Sequence, residues 1–163
     1  MATIKKILDR FLECLVMVSV TVLVLDVLWQ VFTRFVLKDA SSWTEELATF
    51  LLIWVSLLGA AVALGRGAHL GIDYFVGKLP EKNRIQTELF AFACVTLFSL
   101  LVMVVGGIGL VRTTFRLEQI SPALGLDMGY VYLAIPISGI FLVLYGVIGL
   151  CERLSAAREG GVQ

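Results

Sequence analysis

The polar residues that could do chemistry in this sequence are few, and one set recurs at helical spacing. Asp26, Gln30 and Arg34 are four residues apart within an apolar run, so they would share one helix face. A carboxylate inside a membrane costs roughly 2.5–3.5 kcal/mol on insertion scales, so Asp26 needs a partner or a function. One interpretation makes Asp26 a proton- or ion-coupling group. The other, which we favour, pairs it with Gln30, with Arg34 or with another helix.

A second acidic pair, Glu45 and Glu46, follows Trp43. Carboxylates in a first helical turn complement the positive end of the helix dipole, and tryptophan suits the membrane interface. This account does not explain why two carboxylates are adjacent at the edge of the membrane, where one of them should face inward. Within the chain, Arg34 is its expected partner.

A third polar group comprises Arg66, His69 and Asp73, which we interpret as loop and interface residues. His69 is the single histidine, and no further ligand stands at metal-binding spacing. The sequence shows neither a nucleophile–base pair nor a phosphate-binding loop. It therefore predicts no metal site, no cofactor and no enzymatic activity.

Composition points to the bilayer as the solvent of this chain. Of the 163 residues, 59% are hydrophobic and 16% are charged, and the net charge of zero gives no indication of nucleic-acid binding. A span needs about 20 apolar residues. The predicted fold is all-α, with one membrane domain over residues 1–163 and four spans at about 14–35, 44–65, 88–111 and 128–151.

Two amphipathic segments, at about 3–12 and 71–79, are predicted to lie along the cytoplasmic surface and to contact membrane lipids. For the first segment, a plain extension of the helix into water is an equally good interpretation. Lysine and arginine number nine on the side of the termini and four on the other. This bias predicts that both termini are cytoplasmic.

Small residues recur along the second span at Gly59, Ala63 and Gly67. Faces of this kind let helices approach closely in lipid. The pattern predicts helix packing, either inside a compact bundle or against another subunit.

Several short motifs also occur in a fixed order over about residues 5 to 150. They are Arg34-Phe35, Trp43-Thr44-Glu45-Glu46, Trp54, Leu58-Gly59-Ala60-Ala61, Arg66, His69, Asp73, Leu79-Pro80, Ser121-Pro122-Ala123-Leu124, Gly129-Tyr130-Val131-Tyr132 and Pro136-Ile137-Ser138-Gly139. This set resembles the small membrane subunit (DctQ type) of tripartite ATP-independent periplasmic, or TRAP, transporters.

The resemblance implies a subunit of the bacterial inner membrane with two protein partners. A large membrane subunit would hold the sodium and substrate sites and move as an elevator, and a soluble periplasmic protein would deliver an organic acid, usually a carboxylate. The small subunit would be a static scaffold that anchors the moving subunit and could help dock the periplasmic protein. Glu45 and Glu46 would then serve contact rather than ion coupling.

Two other functions remain open at this point. A small self-sufficient exporter could act as a dimer, with Asp26 coupling transport to protons. A membrane enzyme is the weakest candidate, because the sequence lacks a catalytic constellation. The outer charges Arg34, Lys38, Arg112, Arg116 and Glu118 fit contact with a periplasmic partner or ordinary solvated loops equally well.

Overall fold

Four long helices form the chain in the computed structural model, which describes residues 2–38, 41–66 and 81–159. The elements are α1 (Ala2–Phe32) with a π-helical end (Thr33–Leu37), α2 (Ser42–Gly65), α3 (Glu81–Phe98), a π-helical segment (Ser99–Gly106), α4 (Gly107–Arg116), α5 (Met128–Tyr132) and α6 (Ala134–Glu159). They make four candidate membrane spans, Leu8–Leu37, Ser42–Gly65, Gln86–Arg116 and Met128–Leu154. The predicted all-α membrane fold with four spans is confirmed.

The predicted surface helix over 3–12 is not a separate element, because α1 runs without interruption from Ala2 to Phe32. No glycine or proline stands between these two residues, so nothing breaks the helix where it leaves the membrane. The structure therefore matches the alternative of a helix extension. The second predicted surface helix, over 71–79, lies outside the described residues.

The spans are arranged in an open row rather than in a closed bundle. Within the described residues, the backbone of the first span lies close only to that of the second. The second also packs on the fourth, and the fourth packs on the third, so the order along the row is first, second, fourth, third. The chain itself buries 39% of the most apolar window of the fourth span but only 11% of those of the first and third. The described residues therefore leave both broad faces of the row uncovered.

The buried core lies mainly towards the membrane side that carries both termini, which we call the inner side. Its members are Leu12, Leu58, Ala61, Leu64, Phe92, Met103, Leu142 and Tyr145. The opposite, outer side carries the connection between the third and fourth spans.

Glycines shape the seam between the third and fourth spans. A Cβ atom at Gly149 would collide with the ring of Phe92, and one at Gly139 would come within 2.8 Å of the Met103 Cβ. The bare backbone of the fourth span thus accommodates side chains of the third. This close approach is the kind of contact that holds helices together in lipid.

We expect Gly149→Ala to destabilise this seam by about 1–3 kcal/mol, the usual cost of overpacking. The buried Phe92 ring has little room to move away. Thermal unfolding in detergent should show a lower midpoint. Gly109→Ala is the matched control, since a Cβ there would meet nothing within 4 Å. Equal midpoints for the two variants would contradict the assignment of Gly149 to the seam.

Candidate functional site

Glu46 is the centre of the main polar cluster on the outer side. Its carboxylate accepts hydrogen bonds from the Ser121 hydroxyl, from the Ala123 N–H (3.1 Å) and from the Leu124 N–H (3.1 Å). Arg34, the partner expected from the sequence, is exposed and makes no ion pair within the described residues. That expectation was wrong, because the carboxylate is satisfied by a loop 75 residues further along the chain.

The loop that binds Glu46 connects the third and fourth spans over residues 117–127, and we call it the outer loop. It is itself closed by backbone contacts. Ile120 and Asp127 form an isolated antiparallel bridge, and the Ser121 N–H donates to the Leu126 carbonyl at 2.9 Å. Gly125 has a φ of +66°, a left-handed conformation that glycine adopts without strain. The short turn at the tip is therefore fixed locally. Glu46 then ties it to the start of the second span.

A shallow pocket opens beside this cluster. It has a volume of about 190 Å³ and is lined by Glu45, Glu46, Thr49, Phe50, Ser121, Pro122 and Met128. Pockets for drug-sized molecules usually measure about 300–1,000 Å³, so this one is small for an enclosed transport substrate. The cluster is better suited to fixing the loop than to holding a solute.

Trp43 and Glu45 stand at the same end of α2 but point outward. Trp43 is 41% exposed and Glu45 is exposed as well. Of the two adjacent carboxylates, Glu46 therefore faces the chain and Glu45 faces its surroundings. This division follows from the helix, in which consecutive side chains point about 100° apart.

Asp26 is buried in the first span, with 6% of its surface exposed. Neither of its carboxylate oxygens has a hydrogen-bond partner within the described residues. The predicted pairing with Gln30 or Arg34 is thus absent. Glu13 on the first span contacts Arg66 on the second, and the two spans run antiparallel. Asp26 lies 13 residues after Glu13, so its level along the pair is that of Ile53, which lies 13 residues before Arg66. The carboxyl group therefore lies near the middle of the membrane, beside an apolar stretch of α2.

Polar links between described residues join the spans on the inner side. Arg66 donates to the Glu13 carboxylate at 2.7 and 3.1 Å and so joins the second span to the first. The Tyr145 hydroxyl donates to Asp9 at 2.5 Å and joins the fourth to the first. Arg153 and Glu88 form an ion pair at 2.9 Å between the fourth and third spans. Arg66 was predicted from the sequence as an interface group, whereas its partner and the other two links were not.

His69 and Asp73, predicted beside Arg66, lie outside the described residues. The described residues contain no group of three or more His, Cys, Asp or Glu side chains arranged to hold a metal ion. Gly67, the last of the predicted packing residues, also lies outside the described part.

Gly59 and Ala63 belong to a strip of small residues on α2 that the described part of the chain leaves largely uncovered. A Cβ at Gly59 would meet nothing within 4 Å, whereas one at Gly65 would come within 2.9 Å of Tyr145. Ser56 and Ala60 are exposed on the same side, and Ala63 is half-buried. We call Ser56, Gly59, Ala60 and Ala63 the α2 strip. The sequence predicted that small residues serve packing either inside the bundle or against another subunit. Gly65 packs inside the chain, whereas the surface at Gly59 is open and available to another subunit.

Comparison with known proteins gives a consistent result. Residues 23–156 match the family model described as tripartite ATP-independent periplasmic transporters, DctQ component. The chain is 32% identical over 140 residues to the sialic acid TRAP transporter small permease protein SiaQ of Vibrio cholerae, covering 86% of this chain and 79% of that protein. It is 33% identical over 94 residues to the C4-dicarboxylate TRAP transporter small permease protein DctQ of Rhodobacter capsulatus, covering 58% and 41%.

A third relative differs greatly in length. The sialic acid TRAP transporter permease protein SiaT of Haemophilus influenzae is 37% identical over 73 residues, which cover 42% of this chain but 12% of that protein. Sequence like that of this chain thus occurs inside a much longer permease protein.

Proposed function

Because the chain belongs to the DctQ component family of tripartite ATP-independent periplasmic transporters, we propose that it is the scaffold subunit of a sodium-coupled importer of an organic acid. In this proposal it anchors a large elevator-type transport subunit in the bacterial inner membrane, with both of its own termini in the cytoplasm. The observation that carries the proposal is the open row of spans, whose broad faces and α2 strip are not covered by the residues that the structure describes.

The large partner is supported by the relative SiaT, a permease protein in which the matched region is only 12% of the length. A region similar to this chain thus occurs in one polypeptide with a much longer permease sequence. We assign the substrate and sodium sites to that partner. The substrate class is supported by the names of two relatives, which refer to sialic acid and to C4-dicarboxylates, both organic acids.

A static role is supported by the way the spans are tied together. Polar links join the first span to the second and to the fourth, and the fourth to the third, on the inner side, and Glu46 joins the second span to the outer loop. Helices that are linked at both the inner and the outer side of the membrane resist sliding past one another. This is the property that a fixed support for a moving subunit requires.

Docking of the periplasmic substrate-binding protein is the second role that we propose. The outer loop that Glu46 holds exposes three large apolar side chains, Leu117, Ile120 and Leu126, with 60%, 59% and 46% of their surfaces accessible. Because the loop is fixed, a partner would lose little conformational entropy in binding it.

Co-expression with the large subunit tests the scaffold function. The two chains should be recovered together in mild detergent, and deletion of this chain should abolish uptake of the organic acid by cells. Separate recovery together with unchanged uptake would exclude the proposed function.

Asp26→Asn distinguishes this function from that of a proton-coupled exporter, the alternative that the unpartnered Asp26 carboxyl favours. We expect the variant to support at least half of wild-type uptake by the assembled transporter, because the amide keeps the shape of the side chain without a titratable group. The chain reconstituted alone in liposomes should move no solute. Transport by the chain alone that the variant abolishes would instead establish the exporter.

A further inference from the structure

The uncovered side of the third span ends in two arginines that the fold does not use. Arg112 and Arg116 are four residues apart at the end of α4, and both are exposed. Within the described ranges neither makes an ion pair. They lie on the outer side, which carries four lysines and arginines against nine on the inner side. Two adjacent cations there run against the usual distribution of positive charge.

An exposed apolar strip leads up to these arginines along the same side of the span. Leu101, Val105 and Ile108 are 55%, 62% and 42% exposed. Leu101 and Arg112 are 11 residues apart, which corresponds to a rise of at most about 16.5 Å at the α-helical 1.5 Å for each residue, and to slightly less because Ser99–Gly106 is π-helical. This is close to half of the hydrocarbon thickness of about 30 Å. The strip therefore has the length of one membrane leaflet, and the arginines stand at its outer boundary.

Two glycines open a notch in the strip below the arginines. A Cβ at Gly109 would meet nothing within 4 Å, and one at Gly106 would have the Leu101 carbonyl oxygen, at 3.7 Å, as its nearest neighbour. Gly107 differs, because its Cβ would come within 3.1 Å of Pro136 on the fourth span. Gly107 thus serves packing inside the row, while the other two leave bare backbone on the uncovered side.

An aromatic pair marks the level of the headgroups. Phe115 and Tyr130 meet edge to face, with ring centroids 5.3 Å apart, and Tyr130 is 58% exposed. Partly exposed tyrosine is typical of the membrane–water interface. Phe115 is the neighbour of Arg116, and Arg112 lies one helical turn below it, so an interfacial position of the aromatic pair would bring both guanidinium groups within reach of lipid phosphates.

We propose that Arg112 and Arg116 bind the phosphate of an anionic phospholipid in the outer leaflet, with an acyl chain lying along the strip and in the notch. Guanidinium groups bind phosphate oxygens through paired, charge-assisted hydrogen bonds. A lipid fits better than an acidic protein surface because the cations continue an apolar strip of leaflet length. The inference does not depend on the proposed function, since it concerns the chain by itself.

Spin-labelled lipids test this site on the chain reconstituted alone in phosphatidylcholine nanodiscs. The fraction of immobilised label should be larger for phosphatidylglycerol than for phosphatidylcholine. The double variant Arg112→Gln with Arg116→Gln should reduce this preference by roughly fivefold for each arginine removed, the size expected for one basic residue at a membrane surface. Gly109→Leu, which fills the notch, should lower the immobilised fraction of both lipids.

The matched control is Arg34→Gln with Lys38→Gln, which removes the same charge from the outer end of the first span. We expect it to keep the preference for phosphatidylglycerol. Circular dichroism and size-exclusion chromatography would establish that each variant is folded. An unchanged preference in the Arg112 and Arg116 variant, or an equal loss in the control, would overturn the proposal. It would also be overturned if the wild-type chain showed no preference and these arginines were needed instead to capture the periplasmic protein.

Discussion

Gly59→Leu should leave this chain folded and yet prevent its recovery with the large subunit. Gly59 lies in the α2 strip, where an added Cβ would have no described atom within 4 Å. A leucine there would cost the chain little but would push away a helix that packs closely on the strip. Overpacking costs about 1–3 kcal/mol. We therefore expect recovery of the complex to fall by a factor of about 5 to 150, since each 1.4 kcal/mol is a factor of about ten.

The measurement is affinity purification of a tagged large subunit, followed by quantification of this chain. Gly109→Leu is the matched control, because Gly109 is equally open but lies on the third span. It should be recovered with the large subunit at the wild-type level. Normal recovery of the Gly59 variant would show that the α2 strip faces lipid. Loss of recovery in both variants would point to a general defect and would remove the support for this interface.

Glu46→Ala should have the largest effect on stability among single changes on the outer side. It removes the acceptor for the Ser121 hydroxyl and for two backbone N–H groups. Hydrogen bonds to a charged acceptor stabilise more than neutral ones, so we expect the thermal midpoint of this variant to fall clearly below that of the wild type. The amide protons of Ala123 and Leu124 should also exchange faster with solvent.

Hydrogen exchange and thermal unfolding in detergent would measure these two effects. Glu45→Ala is the matched control, because the neighbouring carboxylate is exposed and the change should stay within about 0.5 kcal/mol. Glu46→Gln should fall between the two, since it keeps an acceptor oxygen without the charge. Equal exchange in the two alanine variants would contradict the role of Glu46 in fixing the loop.

The polar residues show how far reasoning from the sequence can reach. Spacing placed Glu46 at the start of a helix and required that one of two adjacent carboxylates face inward, which the structure confirms. It did not identify the partner, because the loop around Ser121 is distant in the chain and becomes a neighbour only through the order of the spans. Asp9 and Tyr145, 136 residues apart, were missed for the same reason.

The sequence by itself determined the number of spans and the membership of the family. Both depend on local properties, since the length of an apolar run and the order of short motifs need no knowledge of neighbouring helices. Only the tertiary structure decided that the spans form an open row and that the space beside Gly149 is filled while the space beside Gly59 is open. It also decided that Asp26 is buried with no hydrogen-bond partner among residues 2–38, 41–66 and 81–159. In lipid an apolar side chain is equally well placed on either face of a helix, so hydrophobic patterning does not mark the buried side. The buried side is determined instead by the fit between particular side chains and the bare backbone at glycines.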